Sequence, residues 1–244
     1  MSFIRSAALL MSYYLVFLFL LPVGLRRMMN VPGEITRKVQ HVAFSLSIFL
    51  LLELFPHWIH ALAAMGLLLV IAYPVLSLIE RSHWYQESLF DRNDSGSELR
   101  KQLLLVQLSF GVLLGSLWGL GQGRYAYLAA AAVMAWGLGD AAAALAGHRF
   151  GQLRIRCRFL SSKKSYEGFG AMVFWSGLGI LLTLWLYGGL SLMVSILCAV
   201  IAAPLCATVE LATGKGLDTL TVPWTGAAAL LVIVLILQAG GLLT

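Results

Sequence analysis

The composition of this 244-residue chain excludes most classes of soluble protein. Hydrophobic residues make up 60% of the sequence and charged residues 11%, with a formal net charge of +6. Ordinary soluble domains hold roughly 45–50% apolar and about 25% charged residues, so the apolar excess must face lipid. In a membrane protein a positive charge orients the chain and attracts anionic lipids or phosphorylated substrates, and we expect no nucleic-acid partner.

Eight apolar stretches predict membrane-spanning helices, which need about 20 residues each. They lie near residues 7–25, 42–55, 58–79, 103–120, 125–146, 169–187, 190–209 and 222–243, the second being short. The sequence therefore predicts an all-α integral membrane protein, a multi-pass bundle of about eight transmembrane helices. We find no internal repeat and no long linker, so we expect a single integral membrane domain over residues 1–244.

The basic residues predict the orientation. Fifteen of the 17 Lys and Arg lie in loops near residues 26–41, 80–101, 147–168 and 210–221, whereas Arg5 and Arg124 lie on the other side. By the positive-inside rule these loops face the cytoplasm and both termini lie outside the inner (plasma) membrane. The longest polar stretch, Glu80 to Lys101, predicts a solvated loop with an interfacial helix; a lid over a membrane-facing site is the alternative.

Asp140 is a carboxylate within the fifth apolar stretch. A charge at mid-bilayer costs roughly 2.5–3.5 kcal/mol on insertion scales, so such a residue indicates function. Beside it, small residues recur at intervals of four and predict close approach of a neighbouring helix; they are Ala131, Ala135, Gly139, Ala143 and Gly147. We interpret Asp140 as a ligand for a divalent cation. A carboxylate that bridges two helices is the alternative.

Three further polar clusters fall at the predicted cytoplasmic side. Lys163, Lys164 and Ser165 precede the sixth span, where ammonium groups, a hydroxyl and helix N-terminal amides favour anion binding. Arg37 and Lys38 open the second span with His41, which we interpret as a phosphate contact or a base; for the two cations, interfacial snorkelling is the alternative. Glu210 and Asp218 flank the turn before the last span and form the third of these candidate clusters. A charged turn without a functional role is the alternative interpretation. Their convergence on one leaflet predicts an active site at the cytoplasmic interface.

Four sequence elements in this order resemble the CTP-dependent polyprenol, phytol and dolichol kinases and the related lipid kinases that use CTP. They are RKxxH at residues 37–41, GDxxAxxxGxxxG at 139–151, KKSxxG at 163–168, and Glu210 followed by Asp218 and the TVP of 221–223. Three positions depart from the family pattern: His148 replaces Arg or Lys, Phe169 replaces a frequent Ser, and Thr219 replaces a common Asn.

The resemblance implies transfer of the γ-phosphate of CTP to the hydroxyl of a long-chain isoprenoid alcohol, with Mg²⁺ as cofactor. The expected partners are CTP, a membrane lipid alcohol and the bilayer. The residues divide into three expected roles. The expected catalytic residues are Asp140, His41 and Lys164. The expected nucleotide- or phosphate-binding residues are Arg37, Lys38, Arg149, Lys163, Lys164, Ser165 and Gly168. The expected metal ligands are Asp140, Glu210 and Asp218.

Two other functions stay open at this point. The CDP-lipid synthases look similar in the GDxxA and KKSxEG regions, and Glu167 favours them; the lipid phosphate would then attack the α-phosphate. A membrane transporter or channel predicts ionisable residues near mid-membrane and often repeated halves, and neither is visible in the sequence.

Overall fold

The computed structural model describes residues 2–79, 98–155, 164–214 and 216–243. These ranges are helical apart from short connections and one isolated antiparallel bridge, so the predicted all-α class is confirmed. The elements are α1 (Phe3–Tyr14), π1 (Leu15–Leu20), α2 (Leu21–Met29), α3 (Gly33–Leu54), α4 (Trp58–Ile79), α5 (Glu98–Leu113), π2 (Leu114–Leu120), α6 (Ala126–Phe150), α7 (Tyr166–Leu182), π3 (Thr183–Tyr187), α8 (Leu192–Ala212) and α9 (Asp218–Ala239).

Eight helices in these ranges are long and apolar enough to cross a membrane, and each coincides with one predicted span. The chain is therefore a multi-pass membrane protein. The helices are Phe3–Met29, Gly33–Leu54, Trp58–Ile79, Arg100–Leu120, Ala126–Phe150, Tyr166–Tyr187, Leu192–Ala212 and Asp218–Ala239.

Several helices extend further into polar sequence than hydropathy predicted, the second most of all. The second begins at Gly33 rather than near residue 42, and the last begins at Asp218 rather than near residue 222. Thr36, Lys38 and His41 are buried within the added turns, and packing of this kind stabilises a helix that apolar content alone does not reveal. Most of the predicted loop from Glu80 to Lys101 lies outside the described residues.

The chain divides into two compact units. Unit 1 covers Met1–Gly111 and unit 2 covers Val112–Thr244. The expectation of a single integral membrane domain stays a prediction, and the two units are described separately below.

In unit 1, α1 and π1 run antiparallel to α3. Side-chain hydrogen bonds join the two helices along their length, and each one satisfies a polar group that would otherwise be costly in an apolar environment. They run from Ser6 Oγ to the Leu54 carbonyl (2.7 Å), from Tyr13 Oη to the Ala43 carbonyl (2.7 Å), between Tyr14 Oη and Ser47 Oγ (2.9 Å), and from Gln40 Nε2 to the Leu18 carbonyl (2.9 Å).

In unit 2, α6 is the central helix. Its residues 128–137 are all buried, and it packs against both α7 and α9, while α8 packs against α7 and α9. Ser176 Oγ of α7 donates a hydrogen bond to the Ala135 carbonyl of α6 at 2.8 Å. The whole circumference of α6 is therefore covered over these turns, which is typical of a helix inside a bundle.

Glycines bring α6 and α7 into close contact. A Cβ atom added to Gly139 would lie 2.6 Å from Met172 Sδ and would also clash with Ser176 Oγ. On α7, a Cβ on Gly168 would lie 3.0 Å from the Ala143 carbonyl oxygen, and one on Gly179 would lie 3.0 Å from that of Met134. The small-residue face predicted on α6 is thus the face that packs against α7.

We expect Gly139→Ala to destabilise the protein, because the new methyl group requires Met172 and Ser176 to move and disturbs the hydrogen bond from Ser176. Overpacking of this kind costs about 1–3 kcal/mol. Gly170→Ala on α7 is the matched control, since nothing lies within 4 Å of its added Cβ. Alanine also favours helix by about 1 kcal/mol over glycine. Thermal unfolding in detergent should show a lower midpoint for Gly139→Ala only; equal midpoints for both variants would contradict the packing.

Candidate active site

The connection after α6 returns to α7 through a short antiparallel pairing. Arg154 and Ser165 form an isolated bridge. The Ile155 amide donates to the Lys164 carbonyl at 2.9 Å, and the Tyr166 amide donates to the Leu153 carbonyl at 3.0 Å. These bonds fix the backbone of Lys164 at the start of α7.

Ser165 and Glu167 hold this turn from their side chains. Ser165 is the N-cap of α7, and its Oγ accepts a hydrogen bond from the Gly168 amide at 3.1 Å. Such capping satisfies one of the amides that a helix start leaves unpaired. Glu167 Oε1 accepts hydrogen bonds from the Gln152 and Leu153 amides, each at 3.1 Å. Ser165, Glu167 and Gly168 therefore all shape the turn, whereas the sequence suggested only that Ser165 and Gly168 bind phosphate.

Lys164 and Glu210 form an ion pair between the start of α7 and the end of α8. Lys164 Nζ lies 2.8 Å from Glu210 Oε1 and also donates a hydrogen bond to the Glu210 backbone carbonyl. The Lys164 side chain is 21% exposed and that of Glu210 is 11% exposed. Because the pair is mostly shielded from solvent, its electrostatic attraction is stronger than that of a surface salt bridge.

Glu210, one of the three acids predicted to bind metal, lies near enough to the other two to interact with them electrostatically. The carboxylate of Glu210 interacts with those of Asp140 and Asp218 as well as with Lys164. Asp140 is buried at 5% exposure in α6. Asp218 begins α9, and its Oδ1 accepts a hydrogen bond from the Thr219 amide at 2.9 Å. The structure therefore pairs Glu210 directly with Lys164 and places it within electrostatic reach of Asp140 and Asp218.

The turn between α8 and α9 is held by threonine hydroxyls. Thr213 Oγ1 and Thr221 Oγ1 share a hydrogen bond at 2.9 Å, and each hydroxyl is also within hydrogen-bond distance of a backbone carbonyl of its own helix. This link sets the distance between Glu210, near the end of α8, and Asp218, at the start of α9. The sequence showed Thr221 only as part of a motif.

The acids have the right chemistry for Mg²⁺ but do not form a complete metal site by themselves. Across the described ranges, no three His, Cys, Asp or Glu side chains are gathered closely enough to hold an ion. Magnesium prefers oxygen ligands and is usually bound by one or two carboxylates together with substrate phosphates. The role of Asp140, Glu210 and Asp218 as magnesium ligands therefore stays a prediction.

The remaining predicted site residues are placed as follows. Arg149 is exposed in the last turn of α6, next to His148, and Lys163 lies outside the described residues. In unit 1, Lys38 and His41 are buried on α3 while Arg37 is exposed. The roles expected for these residues stay predictions.

Comparisons with known proteins place the chain in a family. No protein-family model matches it, and no solved structure does either. The chain is 32% identical over 205 residues to the phytol kinase of Synechocystis sp., a match that covers 82% of this chain and 79% of the relative. The chain belongs to the phytol kinase family. The family resemblance drawn from the four motifs is therefore confirmed.

In the present chain, two of the three residues that depart from the family motifs take part in structural contacts. Thr219 is buried at 3% exposure in the first turn of α9, where its amide donates to Asp218. Phe169 is half-buried, and its amide donates to the Ser165 carbonyl at 3.0 Å. His148 is exposed beside Arg149, so another basic residue is available at that end of α6.

We expect Lys164→Met to destabilise the protein because it leaves the Glu210 carboxylate shielded from solvent and close to two other acids. Removing one partner of a buried pair costs up to about 3–5 kcal/mol. Adding Glu210→Gln to this variant should recover part of the loss, since the uncompensated charge is then gone. Thermal unfolding of the wild type, the two single variants and the double variant gives the coupling free energy between Lys164 and Glu210.

Lys101→Met is the control for these variants, because Lys101 is exposed on α5. Surface substitutions usually change stability by less than about 0.5 kcal/mol. A Lys164→Met protein that unfolds at the wild-type temperature would show that the pair does not stabilise the link between α7 and α8.

Proposed function

We propose that this protein transfers the γ-phosphate of CTP to the hydroxyl of a long-chain isoprenoid alcohol of the phytol or polyprenol type. The observation that carries the proposal is the relationship to a phytol kinase over most of both chains. Eight apolar spans agree with a substrate that resides in the bilayer, because an alcohol with a long hydrocarbon chain is nearly insoluble in water.

The chemistry of the unit 2 cluster supports this proposal. Phosphoryl transfer depends on positioning and on neutralising charge at the phosphate oxygens, with little covalent work for the protein. Asp140, Glu210 and Asp218 would hold Mg²⁺, which when bound supplies that neutralisation. The ammonium of Lys164 is paired with Glu210, one of these acids, and it would contact a phosphate of the nucleotide. Arg149 and Lys163 would add positive charge for the triphosphate.

We further propose that the reaction takes place at the cytoplasmic face of the inner membrane, with CTP arriving from the cytoplasm and the alcohol from the lipid. The support is the distribution of basic residues, fifteen of 17 on one predicted side, because such asymmetry orients membrane proteins. Lys164, Arg149 and Arg154 belong to that basic set.

The choice between a kinase and a CDP-lipid synthase depends on which phosphorus the lipid oxygen attacks. Glu167, the residue that favoured the synthase, is accounted for by its hydrogen bonds to the Gln152 and Leu153 amides. The kinase is the better supported of the two, because the relative that matches 82% of this chain is a phytol kinase.

Isotope transfer tests the proposed reaction directly. Purified protein with Mg²⁺ and phytol should carry label from the γ-position of CTP into the lipid and leave α-label in the aqueous phase as CDP. ATP labelled at the γ-position tests the choice of nucleotide in parallel. Transfer of α-label to a lipid phosphate, with release of pyrophosphate, would show a CDP-lipid synthase and overturn the proposal.

We expect Asp140→Asn to abolish magnesium-dependent turnover while the protein still folds and inserts, because asparagine keeps the size of the side chain and removes its charge. The measurement is initial rate across a magnesium titration, with thermal unfolding as the check on folding. Glu53→Gln is the control: Glu53 is an exposed acid on α3 that the proposed reaction does not use. Activity of Asp140→Asn within a few-fold of wild type would contradict the metal-ligand role.

A further inference from the structure

Unit 1 contains an apolar groove with a volume of about 380 Å³. Six residues of α1 and π1 line it together with six residues of α4, and Phe44 of α3 and Leu103 of α5 complete its walls. Sites that enclose small molecules usually measure about 300–1,000 Å³. The groove is therefore large enough to hold a substantial part of a lipid chain.

The lining of the groove matches hydrocarbon and little else. Ser12 and Tyr14 provide the only hydroxyl groups among the residues that line it, and Tyr14 Oη already shares a hydrogen bond with Ser47 Oγ at 2.9 Å. A polar ligand would lose its hydration here without finding partners. A hydrocarbon chain would instead gain the transfer free energy of its buried surface.

The groove opens toward the lipid-facing surface of unit 1. At its rim, Leu15 is 56% exposed and Val75 is 48% exposed, whereas Phe44 at its floor is 1% exposed and Leu103 is 4% exposed. A ligand can therefore reach the floor laterally from the bilayer. The α4 residues that line the groove span Leu68–Ile79, which corresponds to about 16 Å along a helix and so to about half of the ~30 Å hydrocarbon core.

One wall of the groove is a π-helix. Such helices are rare and occur frequently at functional sites. The carbonyl of Leu18, a lining residue in π1, accepts the hydrogen bond from Gln40 Nε2 at 2.9 Å. Gln40 thus fixes the widened turn against α3.

The groove lies next to the polar turns of α3. Gln40 and His41 are both buried, and they precede the lining residue Phe44 by one helical turn. The end of α4 lies beside the start of α5, since the Arg100 guanidinium lies 5.5 Å from the centre of the Tyr73 ring. A molecule with a long chain and one polar end would place that polar end near Gln40 and His41.

We propose that this groove binds the isoprenoid chain of the lipid alcohol, with the hydroxyl directed toward Gln40 and His41 of α3. The inference rests on the proposed function for the identity of the alcohol. It assigns the selection of the acceptor lipid, including its chain length, to α1, π1 and α4 of unit 1.

Ala72→Trp tests the groove by filling it. Ala72 lines the groove on α4, while Ala63 on the same helix is exposed and outside the lining, so Ala63→Trp is the matched control. We expect Ala72→Trp to raise the apparent KM for phytol about tenfold, which corresponds to lost burial of roughly two methylene groups. The KM for a short prenyl alcohol and that for nucleotide should change much less, and Ala63→Trp should resemble wild type.

Photo-crosslinking tests binding without catalysis. A diazirine-labelled isoprenoid alcohol, applied to the full chain without nucleotide, should label peptides from Met11–Phe19 and Leu68–Ile79, and excess phytol should compete. Labelling of these peptides that phytol displaces, in a protein that does not phosphorylate phytol, would support the groove and refute the proposed function.

Two results would overturn the groove assignment. One is an active wild-type protein whose Ala72→Trp variant folds and keeps the wild-type KM for phytol. The other is labelling that phospholipid displaces and phytol does not, since the groove would then hold a structural lipid.

Discussion

The close contact between α6 and α7 is the constraint on which unit 2 depends. Gly139 and Gly168 have no Cβ where one would collide with the opposite helix, and Ser176 hydrogen-bonds across the same contact. Without a hydrophobic driving force between helices in lipid, such van der Waals packing and hydrogen bonding hold helices together. Asp140 follows Gly139 on α6, and Lys164 precedes α7, so the approach of these two helices determines where both functional groups lie.

The charges of unit 2 are stabilised by one another. A lone carboxylate in an apolar environment is costly, and a paired one is tolerated when its partner is well placed. The Lys164–Glu210 pair meets this condition, because the backbone pairing between residues 153–155 and 164–166 positions the lysine and the threonine link between α8 and α9 positions the acid.

Unit 1 solves a different physical problem. Its α1–π1 segment and α3 satisfy the polar groups of their facing surfaces through a series of hydrogen bonds, and this leaves the adjoining surface of α1, π1 and α4 free to be apolar. Polar contacts on one side of the segment therefore maintain a hydrocarbon-lined groove on the other. The two units thus offer different chemistry, charged groups in unit 2 and an apolar groove in unit 1.

The amino-acid sequence by itself determined the membrane class, the eight spans, the small-residue face of α6 and the family, because hydropathy, helical periodicity and short motifs are local properties. It did not reveal that α3 begins at Gly33, since buried polar residues such as Lys38 carry no apolar signal. It also did not reveal the partner of Lys164, which lies 46 residues away at Glu210, nor that Glu167 tethers the loop after α6. Only the tertiary structure decided these contacts and the groove beside Phe44, because each depends on how helices distant in sequence approach one another.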